Sequence, residues 1–560
     1  MQQGTNLEKL RMWMHDKGVH AIHIPREDMF GGEYVASHDE RLAWASGFMG
    51  SAGFAIITNN TAHLFVDGRY TLQAKAQAPH FHIHPLNQAV IDEVCSSLKE
   101  LHYDLHYDPW LMSAQQSQSW QDRVNLVALK SNPIDALWTD RPKPIYKAAY
   151  DYPIVYAGTT REEKRKLIQA AWFLSNPESV CWLLNIRGGD LPYVPVLHCM
   201  ALVTQEKITL FCEPSKISME LKNLLDVNVV SFEHMAEELK TVSAEVYADK
   251  RTTPAALQNE GIAFHWQPDP CELPKAKKNS TEQQGMRNCH KRDAVALMRF
   301  WMWLEQQHNI TEIEAQDYLE TCRKKIDLHQ GASFATISGF GAHGAIVHYR
   351  AEPKTNQAIT QGVYLLDSGG QYLDGTTDIT RTFSIGIPTQ EERIHYTLVL
   401  KGHIALANAC FPMGTTGAQL DALARQHLWN YGLDYAHGTG HGVGSYLNVH
   451  EGPQGISKVR STVLEPGMVV SNEPGLYLEG QYGIRIENLQ MVKQSSYQGF
   501  LCFESLTLVP YDSSLIEKSL LTPPELDWLK YYYQAIWENV SPLMANREKG
   551  WLKSKLALMD

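Results

Sequence analysis

What the chain lacks narrows its possible roles first. Its nine cysteines, at positions 95, 181, 199, 212, 271, 289, 322, 410 and 502, are odd in number and include no Cys-x-x-Cys pair. That pattern reads as free thiols in a reducing compartment rather than a disulfide framework. Positive charge is in deficit: 50 Lys and Arg stand against 62 Asp and Glu, a formal net charge of −12, so nothing favours a nucleic-acid polyanion as partner. No stretch approaches the ~18 apolar residues of a transmembrane helix. The opening MQQGTNLEKLRMWMHDKGVH alternates charge with apolar side chains and holds no continuous run of signal-peptide type. The expectation is a cytoplasmic, soluble protein that engages neither nucleic acid nor membrane.

Against those absences stands ample material for folding. With 560 residues, 44% hydrophobic and 20% charged, the chain has enough apolar surface for three or four domains, which excludes a stapled mini-scaffold and wholesale disorder. The 24 histidines are the compositional oddity and raise a metal question without answering it.

The N-terminal third carries a helix pattern on Leu7, Leu10 and Met14, a strand VHAIHI, a helix WASGF, a glycine turn at 50–53 and two strands, FAIIT and HLFVDGRY. The order recurs after residue 158, with a capped helix TREEKRKLIQAA, then VCWLLNIRG and the strand pair LHCMALVT and KITLFCE. Two copies of one α/β module are therefore expected, carried by element order more than by residue identity. The Pro- and charge-rich stretch 139–155 reads as the linker between them, and ELPKAKKNSTEQQG as a second boundary before a long helix. The division expected is 1–140, 156–272 and 276–560, α/β twice and then a mixed α+β domain.

Chemistry concentrates in the last part. In VYLLDSGGQYLDGTTDITRTFSIG, Val363, Leu365 and Asp367 share one face of a strand, and Asp378, Thr380 and Thr382 share one face of the next. A turn near 372–375 would set Asp367 and Asp378 roughly opposite each other. Two carboxylates that close repel unless a cation lies between them, although alone the pair also suits an exposed acidic hairpin. The segment VVSNEPGLYLEGQYGIRIENLQMV repeats the plan, with Glu473 ending one strand, Arg485 and Glu487 on one face of the next, and Ile484 and Ile486 turned to a core. Between the two lies HGTGHGVG, where His437 and His441 are surrounded by glycines that permit close backbone approach to whatever the histidines hold. A dinucleotide loop is a weak reading of that run, because histidines occupy the phosphate-approach positions and no acidic residue follows ~20 positions after a βαβ unit.

Four carboxylates and an imidazole suit a two-metal hydrolytic centre, since four negative charges balance two divalent cations and would otherwise repel one another. Oxygen-dominated ligands without cysteine favour Mn²⁺ or a similarly hard ion, with Co²⁺ and Zn²⁺ as alternatives.

The order DSGGQYLDGTTDITRT, HGTGHGVGSYLNVHEGP, NEPG and GIRIEN resembles the Xaa-Pro aminopeptidases of the pita-bread metallopeptidases, in their long three-domain cytosolic form. ASHDERLAWASGFMGSAGFAIIT, FVDGRY, KNSTEQQGMRNCHKRDAVAL and LTPPELDWLKYYY extend the likeness to nearly the whole chain. The resemblance implies two creatinase-like α/β domains followed by a pita-bread catalytic domain. It implies Asp367, Asp378, His441, Glu473 and Glu487 as metal ligands, with Asp378 and Glu487 shared between two ions. It further implies Glu473 as proton shuttle, His348, His437 and His450 holding substrate and intermediate, with His441 also lining the substrate site, and Arg485 orienting Glu487 or the substrate backbone. Arg69 would reach the peptide from the dimer mate; its plain alternative is a surface pair with Asp67. His343 and His403 carry no motif. Two departures, His343 in Gly-Ala-His-Gly and Leu476 after NEPG, fall where peptide preference would be set. The activity implied is removal of the first residue from peptides with proline second, by a hydroxide bridging the ions, in a homodimer. Rival readings are a prolidase limited to dipeptides, a metal-free creatinase-like hydrolase, and a non-catalytic pita-bread binding module.

Overall fold

In the computed structural model, which describes residues 5–557, the chain divides into two compact units. One comprises 1–152 with 160–271, and the other 153–159 with 272–560.

The first unit holds two six-stranded mixed sheets. One runs in the spatial order His82–Pro85, Ala62–Val66, Gly53–Thr58, Ala21–Pro25, Leu105–Tyr107, Leu126–Ala128; the other runs Val227–Val230, Ile208–Phe211, Met200–Val203, Ala171–Leu174, Val246–Ala248, His265–Trp266. Numbered along each module, both read 4-3-2-1-5-6. The directions match pair by pair as well: strands 1–2 and 2–3 antiparallel, strands 3–4, 1–5 and 5–6 parallel. The repeat that is faint in the residues is complete in the topology. Central strands are buried on both faces and read as apolar runs, Met200–Val203 and Ile208–Phe211 among them. The helix expected over TREEKRKLIQAA begins as the spacing predicts, with Thr160 and Glu163 in a reciprocal capping box, but it ends at Arg165. The residues that follow must leave the helix early because Ala171–Leu174 is the first strand of its sheet, and the buried Lys164 ties the turn down by donating to Trp182 O and Asn185 Oδ1.

The longest helix of the second unit is Ser280–Leu304, capped by Asn279 and Glu282, whose apolar residues from Ala294 to Leu304 enter the largest core cluster. Its sheets are antiparallel throughout. One three-stranded sheet orders Ile337–Phe340, Gly362–Ser368, Ile379–Ile385; a six-stranded sheet orders Cys410–Pro412, Phe500–Ser505, Asn488–Gln494, Val469–Asn472, Gly440–Gly442, Glu451–Ile456. A two-stranded ribbon, Gly475–Leu478 with Tyr482–Arg485, extends from the strands of the second acidic segment. Helices Gln390–Ala407, Gly417–Trp429 and Pro523–Val540 bury apolar faces against this framework, with Leu398, Ile404, Leu428, Leu529 and Ile536 in or next to fully buried positions. No helix among the described residues is long and apolar enough to cross a membrane.

Candidate metal centre

Asp367 lies near the end of Gly362–Ser368 and pairs in register with Thr380. Asp378 precedes the partner strand, so the two aspartates meet diagonally rather than face to face. The residues between them do not form a simple turn: Gly370–Tyr372 and Gly375–Thr376 make short strands of their own beside His329–Ala332. Glu473 follows Val469–Asn472, and Glu487 sits in the two-residue break between Tyr482–Arg485 and Asn488–Gln494, while Ile484 and Ile486 are fully buried in the core.

These elements bring four carboxylates and one imidazole into contact. Asp367, Asp378 and Glu487 form one group whose ligand atoms lie within 4.8 Å of one another; His441, Glu473 and Glu487 form a second, and Asp378, His441 and His450 a third. His441 Nε2 lies 3.4 Å from Asp378 Oδ2 and 3.5 Å from Glu473 Oε1. Its Nδ1 contacts Gly442 O at 2.9 Å. A carbonyl only accepts, so Nδ1 donates there and Nε2 is left as the ring nitrogen facing the carboxylates, the atom a metal would take. His450 packs edge-on against His441, ring centroids 4.4 Å apart.

The electrostatics are those of an under-compensated acid cluster. Burial, reinforced by Asp378 and Glu473 against the pull of Arg485, pushes Asp367 up to about 7. Burial raises Glu473, and burial with the neighbouring Asp378, Asp367 and Glu473 charges raises Glu487 well above the usual carboxylate range. Burial alone would lower His441, but hydrogen bonding to Asp378 and the charges of Glu473 and Asp378 outweigh it and lift the imidazole to about 9. Oδ1 of both Asp367 and Asp378 is buried without a hydrogen-bond partner. Orphaned carboxylate oxygens on an oxygen-rich donor set fit hard divalent cations.

Around the cluster stand residues that hold its geometry. Arg485, 2% exposed, donates to Asp367 Oδ2 at 2.7 Å, to Thr380 Oγ1 at 3.1 Å and to Tyr477 Oη at 2.7 Å. Its direct carboxylate partner is thus Asp367, and it reaches Glu487 only through Thr380, whose hydroxyl donates to Glu487 Oε2 at 2.8 Å. His437 gives its Nδ1 proton to Gly438 O at 2.7 Å, so Nε2 accepts from Tyr477 Oη at 2.8 Å. Ser471 receives the His441 backbone N–H at 2.9 Å and donates to Glu473 Oε1 at 3.2 Å. Below, the buried Arg381 donates to the backbone oxygens of Thr380, Glu487, Val509 and Pro510, to Asn488 Oδ1 and to Tyr532 Oη.

Thr380 is visible in the sequence as the residue sharing Asp378's face. Tyr477 carries no such mark, because it is placed by the ribbon and not by the acidic strands. The glycines of HGTGHGVG crowd protein rather than ligand: a Cβ on Gly440 would overlap Ser471 O, and one on Gly442 would overlap Glu451 O. His348 follows the short 3₁₀ turn Gly341–Ala345, which packs on Gly362–Ser368 and Tyr482–Arg485, the strands of Asp367 and Arg485. In that turn His343 contacts Glu312 Oε1 at 2.9 Å, while Leu476 is 2% exposed in the core. His403 is a buried structural histidine between Asn472 O and Tyr511 Oη. Arg69 lies in the other unit, where its Nε donates to Asp67 Oδ1 at 2.7 Å.

Comparison with known proteins covers nearly the whole chain. The profile of metallopeptidase family M24 matches residues 284–494, and that of the C-terminal region of the same peptidases matches 499–558. Profiles of the creatinase/prolidase N-terminal domain match 6–137 and 140–282. A protein of Laccaria bicolor described as probable Xaa-Pro aminopeptidase P is 40% identical over 98% of this chain and 92% of its own; one of Coprinopsis cinerea with the same description is 38% identical over 98% and 97%. The crystal structure of an X-prolyl aminopeptidase from Caenorhabditis elegans, described as a cytosolic enzyme with a di-nuclear active site, superposes with a TM-score of 0.92 at 34% identity, covering 98% of each chain.

Proposed function

Because the chain belongs to the Xaa-Pro aminopeptidase P family of M24 metallopeptidases, we propose that it is a metal-dependent exopeptidase removing the first residue from peptides whose second residue is proline. The observation that carries this reading is the cluster of four carboxylates, three of them buried, and one Nε2-directed histidine, with two carboxylate oxygens unpartnered, in a chain that matches such enzymes over 98% of its length. Asp367, Asp378, His441, Glu473 and Glu487 would hold two divalent ions, with Asp378 and Glu487 shared, and Mn²⁺ is the ion best suited to the donors. Bound there, the ions supply a nucleophile from water at neutral pH and polarise the scissile carbonyl.

The chain's own groups do the rest. An Xaa-Pro bond is a tertiary amide without an N–H, so a site for it cannot rely on anchoring that donor and must protonate a poor leaving nitrogen. Glu473, kept in place by Ser471, takes the proton of the attacking water and returns it to the proline nitrogen. His348, His437 and His450 supply hydrogen bonds to the substrate and to the developing oxyanion. Arg485 favours the ionised form of Asp367 against its burial and aligns it, and through Tyr477 it holds His437. The modular division 1–140, 156–272 and 276–560, a homodimer in which Arg69 serves the mate's cleft, and a cytoplasmic location complete the reading.

The test is release of the first residue from an Arg-Pro-Pro-type peptide by the full-length, Mn²⁺-loaded protein. Absence of release refutes the proposal, and cleavage of Xaa-Pro dipeptides with no cleavage of the longer peptide would make the enzyme a prolidase.

A further inference from the structure

Of the nine cysteines, seven are buried; Cys410 is exposed and Cys502 half-buried. These two accessible thiols, 92 positions apart (502 − 410), face each other directly. Cys410–Pro412 is the short edge strand of the six-stranded sheet, and it pairs antiparallel with Phe500–Ser505 in the register Cys410 to Cys502, Phe411 to Leu501, Pro412 to Phe500. The hydrogen-bond phase of the ladder follows from its end. Met413 N donates to Gly499 O at 2.9 Å, while Pro412 has no N–H and Phe500 N is engaged by Tyr497 O. Pro412 and Phe500 are therefore a non-hydrogen-bonded pair, and two residues along the ladder so are Cys410 and Cys502. Opposed residues of that kind have Cα atoms ~4.5 Å apart and their side chains on the same face, within the ~4.4–6.8 Å span a disulfide bridges. Both thiols converge on the end of the neighbouring strand, Cys410 Sγ 3.3 Å from Ser495 Oγ and Cys502 Sγ 3.8 Å from Gln494 O.

We infer that Cys410 and Cys502 form a peroxide-responsive dithiol that closes reversibly to a cross-strand disulfide. The exposed Cys410 sulfur attacks a peroxide oxygen; the O–O bond breaks, one water leaves, and Cys410 becomes a sulfenic acid. Cys502 sulfur then attacks Cys410 sulfur, the S–O bond breaks, a second water leaves, and the S–S bond forms. Two thiols are oxidised by two electrons and one hydrogen peroxide is reduced to two waters. An exposed bridge of this kind is among the readily reduced ones, so a reducing cytosol keeps it open and a thiol reductant restores it. The site is independent of the metal centre and of the activity proposed for it.

The test treats the full-length, metal-loaded protein with hydrogen peroxide, alkylates the remaining thiols and maps tryptic peptides. The expected product is peptide 402–425 joined to peptide 494–518 with loss of two hydrogens, reversed by dithiothreitol and absent from Cys410→Ser and Cys502→Ser. Cross-linking residues so far apart restricts the unfolded chain, so oxidation should raise the unfolding midpoint by several degrees in the parent protein and not in Cys410→Ser. Conversion of Cys410 to a sulfinic acid without the joined peptides, or retention of two alkylatable thiols, overturns the inference.

Discussion

Two buried carboxylates with their own cations differ in one respect from the acidic cluster of the same unit, and the difference shows what a cation site looks like before its cation is considered. Asp293 is buried, yet it accepts from Arg323 at 2.8 and 3.2 Å, from Tyr372 and from Thr377, and its carboxyl is held below the usual range even though burial works the other way. Glu451 is likewise clamped between Lys275 at 2.7 Å and Lys278 at 2.6 Å, and these partners outweigh its burial to keep it low. Asp367 and Glu487 are buried too and Glu473 is half-buried, but with Asp378 they share one guanidinium and the imidazoles of His441 and His450, and they are pushed upward. Burial does not separate the clusters; the supply of fixed positive charge does. A folded chain that keeps surplus buried carboxylates together has positioned them for charge it does not itself contain.

The largest expected effect separates function from stability. Asp378→Asn should lower kcat/KM by roughly a thousandfold or more, since it removes a shared ligand, while the unfolding midpoint of the metal-free protein stays the same or rises because repulsion is relieved. A metal-free midpoint that falls as it does for a broken ion pair would erase the distinction between the clusters. Arg323→Met should behave in the opposite way, costing about 3–5 kcal/mol in denaturant unfolding by stranding Asp293.

Next in size is pH. Asp367 has its folded value raised to about 7 from 3.8, so the folded state binds the proton more tightly across that window. Its contribution to stability is fully present below about pH 4 and is lost as pH rises through about 7, on the order of a few kcal/mol. Asp293 and Glu451, held low, contribute stability above the ordinary carboxylate range that disappears as pH falls through their folded values. Differential scanning calorimetry of chelator-treated protein should show its midpoint falling between pH 5 and pH 8, and Mn²⁺ should abolish most of that fall. Equal slopes with and without metal would count against the cluster as the binding site.

Smaller again, Tyr477→Phe should reduce kcat by roughly 10- to 100-fold without changing metal content, because it cuts the link from Arg485 to His437. At the bottom of the scale, Lys458→Ala removes an exposed pair with Asp434 at 2.9 Å and should shift stability by less than about 1 kcal/mol.

The sequence made the acidic centre legible because its carboxylates lie on or beside strands, where period two and short motifs preserve which residues share a face. It did not reveal that Asp367 and Asp378 meet diagonally, since the intervening residues pair with His329–Ala332, some forty positions upstream. Nor did it assign Arg485 to Asp367 instead of Glu487: period two places Arg485 and Glu487 together, but the break before Asn488 turns the guanidinium toward the neighbouring sheet. The repeat of the N-terminal modules was visible only as an order of elements, because strand pairing constrains burial and direction far more than it constrains residue identity.

One arrangement ties the C-terminal part of the chain to the centre. Arg381 fastens the backbone of Glu487 to Val509, Pro510 and the hydroxyl of Tyr532, which belongs to the penultimate helix of the chain. The carboxylates precede that helix in the chain, and the helix adds the Tyr532 hydroxyl to the acceptors that hold Arg381 on the backbone of Glu487. A chain clipped before residue 523 would hold every acidic residue of the centre and lack the Tyr532 hydroxyl, one of the acceptors that hold Arg381 against the backbone of Glu487.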